Sequence, residues 1–445
     1  MYIDFLLDVF DKNQNRDAII WRDRTFSYAW LAGRVEQHRL DLSKQQPAEG
    51  SVVSLEADFS PTAIALMLAL AEHNCTIVPL SAAVGERKSE FLEIAEVEDR
   101  IIVHPDERVE VRSTGVVSRH RLLCDLRQAV RPGLVLFSSG STGKSKAAVH
   151  DLARLMEKFK VPRRAYRTMT FLLFDHIGGL NTLFYTLSNG GCIVTAGDRR
   201  PETVSRAIEE HRVQLLPTSP TFLNLLLLSE AYREHDLSSL EMVTYGTEVM
   251  PETTLARFHA LFPHARLLQT YGLSEVGILR SKSRSSDSLW VKVGGEGFET
   301  RVVNGMLEIK AQSAMLGYLN APSPFTEDGW FQTSDAVEVE GEYIRILGRQ
   351  SDIINVGGEK VYPAEVESVL ASMEGVDEVA VSAERSPVTG QMVKAKVRLK
   401  TAETLPEFRK RMRAFCDGRL SKFKIPQKVV LVSEDLHSER FKRTR

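Results

Sequence analysis

Cysteine, long apolar runs and an excess of charge of one sign are all scarce in this sequence of 445 residues. The four cysteines are too few and too scattered for a disulfide framework or a zinc cluster, and they are typical of a reducing compartment. The longest apolar run, residues 63–71, is far shorter than the ~20 residues that a membrane helix needs. Lysine plus arginine number 57 against 59 acidic residues, which argues against bulk electrostatic binding to nucleic acid or anionic membranes.

The N-terminus also lacks the basic start of a secretory signal peptide, because Asp4 and Asp8 are its first charged residues. Hydrophobic residues make up 43% of the chain and charged residues 26%, an ordinary globular composition. We therefore expect a soluble, cytoplasmic protein with no nucleic-acid partner and no membrane insertion.

The pattern of apolar segments predicts an α/β fold in two domains. Short apolar strands alternate with helical patterns until shortly before residue 290, and strands then dominate up to residue 347, with a hairpin turn at Gly341. We therefore predict a large N-terminal domain of layered α/β sheets plus a small β-rich part, residues 1–348. A small α+β domain follows over residues 349–445.

The strongest local signal is a loop rich in glycine, serine and threonine that directly follows a predicted strand. Its glycines let backbone N–H groups converge on an anion, and its hydroxyls and lysines add donors and charge, so the loop suits phosphate. Ser138 stands where a Walker loop needs glycine, and residues 147–150 read as a strand, with a helix predicted only after Asp151. The predicted phosphate ligands are Ser138, Ser139, Gly140, Ser141, Thr142, Gly143, Lys144 and Lys146.

This loop resembles the signature of adenylate-forming enzymes, which include acyl-CoA synthetases, stand-alone adenylation domains and luciferases. Further motifs follow in that family's order as far as Lys442. The resemblance implies a small C-terminal domain that is mobile during catalysis. It also implies ATP and Mg²⁺ as cofactors, and either CoA or the phosphopantetheine of a carrier protein as thiol acceptor.

Residues 269–275, QTYGLSE, are similar to the family's Tyr-Gly-x-Thr-Glu motif. The resemblance implies that Tyr271 stacks on adenine, that Ser274 contacts the α-phosphate or the acyl oxygen, and that Glu275 holds Mg²⁺. An upstream segment would line the adenine and acyl sites; together with the motif's glycine, the implied residues are Tyr245, Gly246, Thr247, Glu248 and Gly272.

Residues 174–180 resemble the segment in which an aromatic residue or a histidine gates the carboxylate site. His176 would contact the reacting carboxylate or move aside for the thiol. Ile177 stands where amino-acid-activating relatives carry aspartate, and a buried substrate ammonium beside it would lack a partner. We therefore expect a fatty or aryl acid without a free α-amino group. Gly178 and Gly179 would either deepen the acid pocket or serve a helix contact.

Residues 329–335 resemble the family's Trp-x-x-Thr-Gly-Asp motif. The resemblance implies that Asp335 accepts hydrogen bonds from both ribose hydroxyls. Ser334 replaces the usual glycine, which is a departure in a tight turn.

The longest match is residues 348–367. It implies that Arg349 contacts ribose or phosphate and that Ser351 occupies the hinge position, where the family usually has Asp or Lys. Gly357 and Gly358 would let the pantetheine arm approach the backbone.

The end of the chain resembles the family's closing motif and implies Lys442 as the catalytic lysine. The segment is one residue shorter than the family's Pro-x-x-x-x-Gly-Lys and lacks its glycine. Arg440 and Lys424 are therefore alternatives, and a solvated basic tail is the structural alternative.

Together the motifs predict ATP-dependent activation of a carboxylic acid to acyl-AMP, followed by transfer to CoA. Loading of a carrier protein is the first alternative. A phosphotransferase that releases ADP and a non-catalytic nucleotide-binding relative are the others.

Overall fold

The protein is represented by a computed structural model that describes residues 2–44, 46–139, 145–438 and 443. The strands of the described residues are β1 Asp17–Trp21, β2 Arg24–Ser27, β3 Val52–Glu56, β4 Thr76–Leu80, β5 Asp99–Val103, β6 Val109–Ser113, β7 Gly133–Ser139, β8 Ser145–Asp151, β9 Arg167–Met169, β10 Cys192–Val194, β11 Leu215–Thr218, β12 Met242–Tyr245, β13 Arg266–Gln269, β14 Gly272–Leu273, β15 Gly277–Ile278, β16 Arg280–Ser283, β17 Trp290–Gly294, β18 Phe298–Val303, β19 Met306–Ala311, β20 Gly317–Tyr318, β21 Phe331–Glu340, β22 Tyr343–Arg349, β23 Ile354–Val356, β24 Glu359–Val361, β25 Val376–Ser386, β26 Gly390–Leu399 and β27 Lys428–Val432.

The α-helices are α1 Asp4–Lys12, α2 Tyr28–Leu42, α3 Pro61–Glu72, α4 Lys88–Ile94, α5 Arg121–Gln128, α6 Leu152–Met156, α7 Ile177–Ser188, α8 Pro201–His211, α9 Pro220–Ser229, α10 Glu252–Leu261, α11 Pro363–Ala371 and α12 Leu405–Cys416. Short 3₁₀ turns cover Ala82–Arg87, Glu157–Lys160, Ala231–Arg233, Gln350–Asp352 and Lys422–Lys424. Within the described ranges, none of these helices is long and apolar enough to cross a bilayer.

Two seven-stranded sheets form the layers of the large N-terminal part. Their strand orders are β20-β8-β7-β4-β3-β5-β6 and β13-β12-β11-β9-β10-β1-β2. One core cluster joins both sheets through two helices, with Val53 of β3, Leu66 of α3, Leu180 of α7 and Ile19 of β1 all fully or almost fully buried. The predicted layered α/β architecture is thereby confirmed.

Strands dominate after residue 280, as the sequence predicts. A six-stranded antiparallel sheet has the order β16-β17-β22-β21-β19-β18, and Gly341 lies in the turn between β21 and β22 with a φ of 60°. The C-terminal part builds its own five-stranded sheet, covered by α11 and α12, over a separate apolar cluster from Ile354 to Val429. The large and small domains of the fold prediction are confirmed, whereas the exact boundary at residue 348 stays a prediction.

Local expectations differ from the structure in a few places. β1 and β2 were not predicted, because each is short and half of β2 is exposed. The predicted strand at residues 213–216 lies two residues later, at β11. The predicted helix over residues 406–420 ends at Cys416, because Asp417 is extended and Gly418 has a φ of 72°, which a helix does not accommodate.

Candidate functional site

A cavity of about 1000 Å³ lies where the β7–β8 hairpin, the start of α7, the β14–β15 turn and the 3₁₀ turn Gln350–Asp352 meet. Many of the residues singled out from the sequence line it, although they come from five distant stretches of chain. Those residues are Ser138, Lys146, His176, Ile177, Thr247, Gly272, Ser274, Glu275, Arg349 and Ser351.

The glycine-rich loop joins two antiparallel strands, as predicted from the sequence that follows it. Ser138 of β7 pairs with Lys146 of β8. Residues 140–144, which hold the predicted ligands Gly140, Ser141, Thr142, Gly143 and Lys144, lie outside the described residues. So does the side chain of Ser139. The Asp151 side chain then accepts a hydrogen bond from the Arg154 backbone N–H at 3.1 Å and caps α6.

Glu275 is a nearly buried carboxylate in the cavity wall, with two hydroxyl donors. Its Oε1 accepts hydrogen bonds from the Tyr318 hydroxyl at 2.8 Å and from the Ser138 hydroxyl at 3.4 Å. Burial and the adjacent carboxylate raise the pKa of Tyr318 far above its usual range, so this phenol stays protonated and donates. The ammonium of Lys146 stands 5.4 Å over the Tyr318 ring.

Ser274 is held in place through its backbone by a buried histidine that the sequence analysis did not single out. His150 Nε2 lies 2.6 Å from the Ser274 carbonyl oxygen and donates to it. Complete burial lowers the pKa of His150, so the ring is neutral around pH 7 and keeps one N–H for this bond. The segment of Ser274 and Glu275 is thus fastened to β8.

Asp335, Tyr271 and Arg349 form one polar group beside the cavity; Arg349 lines the cavity, whereas Asp335 is buried behind the lining residues Thr333 and Ser334. The Tyr271 hydroxyl donates to Asp335 Oδ2, and the guanidinium of Arg349 lies 3.4 Å from Asp335 Oδ1. Burial raises the pKa of Asp335, while Arg349 opposes this effect. The Tyr271 ring is packed in the core and does not line the cavity; its neighbours Gly272 and Leu273 do.

His176 caps the N-terminus of α7 at the cavity. Its Nδ1 accepts a hydrogen bond from the Gly178 backbone N–H at 3.1 Å, so the neutral ring carries its proton on Nε2. The start of a twelve-residue helix carries partial positive charge and suits a carboxylate. Ile177, the first residue of α7, is buried and lines the same wall.

Gly178 and Gly179 serve the helix contact rather than the pocket. A Cβ on Gly179 would stand 1.9 Å from the Leu173 carbonyl oxygen, and one on Gly178 would stand 2.6 Å from the Leu172 side chain. Both glycines are buried in α7 and neither lines the cavity. Of the two alternatives from the sequence, close packing of α7 accounts for both.

The segment at the end of β12 contributes one residue to the cavity wall. Thr247 lines it with a φ of 72°. Tyr245 is buried below, and a Cβ on Gly246 would stand 2.7 Å from the Thr270 carbonyl oxygen. The Glu248 carboxylate binds elsewhere, to the backbone N–H groups of Thr221 and Arg443.

The residue predicted as the hinge and the glycines predicted to contact pantetheine lie in different places. Ser351 lies in the 3₁₀ turn Gln350–Asp352 at the cavity. Gly357 and Gly358 lie in the turn between β23 and β24, with φ angles of 62° and 95°, and do not line the cavity. Their predicted contact with a pantetheine arm stays a prediction.

Lys442 and Arg440 lie outside the described residues. Ser438 and Arg443, on either side of Lys442 in the sequence, both line the cavity. The alternative lysine, Lys424, makes an ion pair with Glu365 at 2.6 Å and lines a different cleft.

The lining residues that were not predicted include Arg87, Phe91 and Phe137. The two phenylalanine rings stack with centroids 3.8 Å apart, and the Arg87 guanidinium lies 5.6 Å from the Phe91 ring. Arg87 also donates to the Ser145 hydroxyl at 3.3 Å, beside the glycine-rich loop. The local sequence around Arg87 does not predict that this residue lines the cavity. The pairing of β4 with β7 is what brings its segment close to the β7–β8 hairpin.

Comparison with known proteins gives two family matches. The family model described as AMP-binding enzyme matches residues 8–307, and the model described as AMP-binding enzyme C-terminal domain matches residues 365–442. An indoleacetate–CoA ligase of Aromatoleum aromaticum is 27% identical, over 94% of this chain and 92% of the relative. A CoA ligase of Rhodococcus jostii for a 7a-methyl-1,5-dioxo-octahydro-indenyl propanoate is 29% identical, over 67% of this chain and 61% of the relative.

Solved structures share the fold. The anthranilate–CoA ligase AuaEII in complex with anthranoyl-AMP superposes with a TM-score of 0.83 at 18% identity, covering 100% of this chain and 95% of that one. ATP-bound MatB from Rhodopseudomonas palustris gives a TM-score of 0.78 at 23% identity, covering 98% and 95%.

Proposed function

We propose a function for this chain from one premise: it belongs to the family of AMP-binding enzymes. It is accordingly an enzyme of the AMP-forming acid–CoA ligase type. Its acid substrate, its acceptor and the roles of its site residues are our proposals. They are carried by one observation: motif residues from five stretches of sequence line a single cavity.

The proposed reaction begins when a substrate carboxylate attacks the α-phosphate of ATP, giving acyl-AMP and pyrophosphate. The acid lies at the N-terminus of α7, where the helix dipole and the Nε2–H of His176 face negative charge. Ile177 offers an apolar wall and no counter-ion for an ammonium, which favours a fatty or aryl acid over an amino acid. The named substrates of the relatives, indoleacetate and a polycyclic propanoate, are of this kind.

The nucleotide is proposed to bind across the rest of the cavity. Asp335 accepts from the ribose hydroxyls and Arg349 stands beside it, while Ser138 and Lys146 flank the loop that would hold the terminal phosphates. Lys442 would neutralise charge that develops in the transition state.

The residues also fit Mg²⁺. Glu275 is a nearly buried carboxylate whose side-chain donors, the hydroxyls of Ser138 and Tyr318, are neutral, so its negative charge is not cancelled by an ion pair among the described residues. Hard oxygen ligands of this kind suit Mg²⁺, which when bound to ATP neutralises charge on the phosphates. Glu275 would hold the ion, and Tyr318 and Ser138 would orient the carboxylate.

In the second step a thiol attacks the acyl-AMP and releases AMP after the small domain has turned about Ser351. CoA is the proposed acceptor, because the named relatives are CoA ligases. Enclosure of the cavity by two domains protects the adenylate from water between the two steps.

ATP–pyrophosphate exchange across a panel of acids tests the proposal. We expect exchange with aryl or fatty acids, no exchange with amino acids, and AMP rather than ADP as product once CoA is added. Lys442→Ala should abolish exchange and still form thioester from supplied acyl-AMP, whereas Lys424→Ala, its matched control, should retain both. ADP formation, or ATP binding without exchange for any acid, would contradict the proposal. Transfer to a carrier protein but not to CoA would show that the acceptor is the carrier protein and not CoA.

A further inference from the structure

Arg443 makes contacts with both parts of the molecule. Its backbone N–H donates to Glu248 Oε2 at 3.0 Å, and Glu248 follows β12 in the large domain. Its guanidinium donates to Glu367 Oε2 at 2.6 Å, and Glu367 belongs to α11 in the small domain. The Arg443 side chain is only 14% exposed, although it lies two residues from the end of the sequence.

The two carboxylates are themselves fixed to their own domains. Glu248 Oε1 accepts from the Thr221 backbone N–H at 3.2 Å, at the start of α9. Glu367 has a fully buried side chain, and its Oε1 accepts from the Val381 backbone N–H of β25 at 2.9 Å. The contacts therefore form one continuous series from α9, through Glu248, Arg443 and Glu367, to β25.

We infer that Arg443 is a positioning residue that holds the small domain against the large domain in the arrangement needed for adenylate formation. The inference rests on the proposed function, because Arg443 directly follows Lys442 in the chain. A trans peptide separates neighbouring Cα atoms by about 3.8 Å, so fixing the backbone of residue 443 restricts its neighbour as well. Turning the small domain for the second step breaks the bond to Glu248 and leaves the buried pair with Glu367 intact.

Separate assays of the two half-reactions test this role. Arg443→Met should lower ATP–pyrophosphate exchange by about 10- to 100-fold, the cost of a misplaced catalytic group. Thioester formation from supplied acyl-AMP and CoA should change less than twofold. Arg443→Lys should recover part of the exchange, because an ammonium still pairs with Glu367. Arg385→Met is the matched control, an exposed arginine of the same domain, and should leave both rates unchanged.

Loss of both half-reactions together, or of neither, would overturn the inference. Removing the guanidinium also leaves Glu367 buried without its partner, which costs stability. The double variant Arg443→Met/Glu367→Gln removes that unpaired charge. It should regain the wild-type melting temperature and still show the about 10- to 100-fold loss of exchange; recovered exchange would show that the single variant had only unfolded.

A distance measurement tests the same inference without turnover. Spin labels are placed on Val117→Cys in the large domain and Val388→Cys in the small domain, both exposed positions, in a Cys124→Ser background. We expect a single narrow distance distribution for the parent and a broader one for Arg443→Met. An unchanged distribution would overturn the role of Arg443. If the wild-type protein activates no acid, the proposed function fails, and this measurement still decides whether Arg443 holds the domains together.

Discussion

Two residues in the cavity wall hold backbone angles that favour glycine. Ser334 has a φ of 60° and Thr247 a φ of 72°. A β-branched side chain is particularly unfavourable there, and strain of this kind costs about 1–3 kcal/mol per residue. Ser334 stands where the family motif has glycine. Its backbone has the left-handed conformation that glycine adopts without strain.

Ser334→Gly is therefore expected to stabilise the protein. The side chain is exposed, so little packing is lost, and relief of the left-handed conformation should outweigh the greater freedom of an unfolded glycine by about 0.5–1 kcal/mol. Thermal unfolding should show a rise in melting temperature of about 1–2 °C. Ser421→Gly is the control, since Ser421 has an ordinary φ of −60°. An equal or lower melting temperature for Ser334→Gly would contradict this account.

Lys158 is a half-buried lysine whose amine has no carboxylate partner among the described residues. Its Nζ donates to Asn181 Oδ1 at 2.6 Å and to the Ile278 carbonyl oxygen at 2.9 Å, and so links the 3₁₀ turn to α7 and β15. Burial, together with Arg163 and Arg280, lowers the pKa of Lys158 to about 7. A neutral amine still has two N–H groups, so both hydrogen bonds survive deprotonation.

The direction in which stability changes with pH follows from the different pKa of Lys158 in the folded and in the unfolded chain. Between the folded pKa and the unfolded pKa the unfolded chain binds one more proton, so the free energy of unfolding rises with pH by about 1.4 kcal/mol per unit from this group. Lys158→Met removes that contribution. We expect Lys158→Met to gain stability relative to wild type at pH 6 and to lose this advantage progressively between pH 7 and about pH 10, as measured by urea unfolding at each pH. A stability difference independent of pH would show that Lys158 is charged in the folded protein.

At the scale of elements, the start of α7 shows what sequence could and could not predict. The motif predicted that His176 and Ile177 lie at the acid-binding site, and both residues line the cavity. The capping bond of His176 was not predicted, and a helix contact of Gly178 and Gly179 was only one of two alternatives, because the packing depends on the loop at residues 172–173. No local pattern indicates how closely that loop approaches the helix.

Gly179→Ala tests how tightly this element is held. The added methyl would stand 1.9 Å from the Leu173 carbonyl oxygen, so α7 or the loop must shift. We expect a loss of stability of about 3 kcal/mol or more, or failure to fold, measured by thermal unfolding. Gly33→Ala is the matched control in α2, where nothing lies within 4 Å of the new methyl, and should stabilise by about 0.5–1 kcal/mol. A neutral Gly179→Ala would show that α7 can move freely.

The strands around the phosphate loop were predictable for a different reason. Two apolar runs, residues 134–137 and residues 147–150, lie close together in sequence on either side of the polar loop. This arrangement predicts a hairpin, and the pairing of β7 with β8 confirms it. Tyr318 and Arg87 reach the same hairpin from remote segments, through β20 and the turn Ala82–Arg87. Such partners depend on sheet order, which periodicity alone does not determine.

At the scale of the whole molecule, the two domains together line the candidate cavity and the cleft that contains Lys424, and few side-chain bonds join them among the described residues. Among the described residues, Arg349 pairs with Asp335 just before the hinge, Thr253 donates to the Ser368 carbonyl oxygen at 3.4 Å, and Arg443 joins the domains at the chain end. A small, polar contact of this kind permits one domain to turn against the other. The family motifs predicted two domains and a hinge. They did not predict these contacts, because the residues that form the contacts lie outside the motifs or at their ends.

The hinge gives the last prediction, and its effect is opposite to that of Arg443→Met. Ser351 lies in the turn Gln350–Asp352, which is closed by a hydrogen bond from the Ile353 N–H to the Gln350 carbonyl oxygen, and proline at position 351 leaves this bond in place. Proline does remove the bond from the Ser351 hydroxyl to Asp352 Oδ1 at 3.0 Å, which Ser351→Ala removes as well. Ser351→Pro fixes φ near −65° and restricts Gln350, which should hinder rotation of the small domain. We expect ATP–pyrophosphate exchange to stay within about threefold of wild type and thioester formation from supplied acyl-AMP to fall at least about tenfold, because only the second step requires that rotation. Ser351→Ala should retain both rates. If Ser351→Pro spares the second step, the pivot lies elsewhere in the segment between β22 and β23.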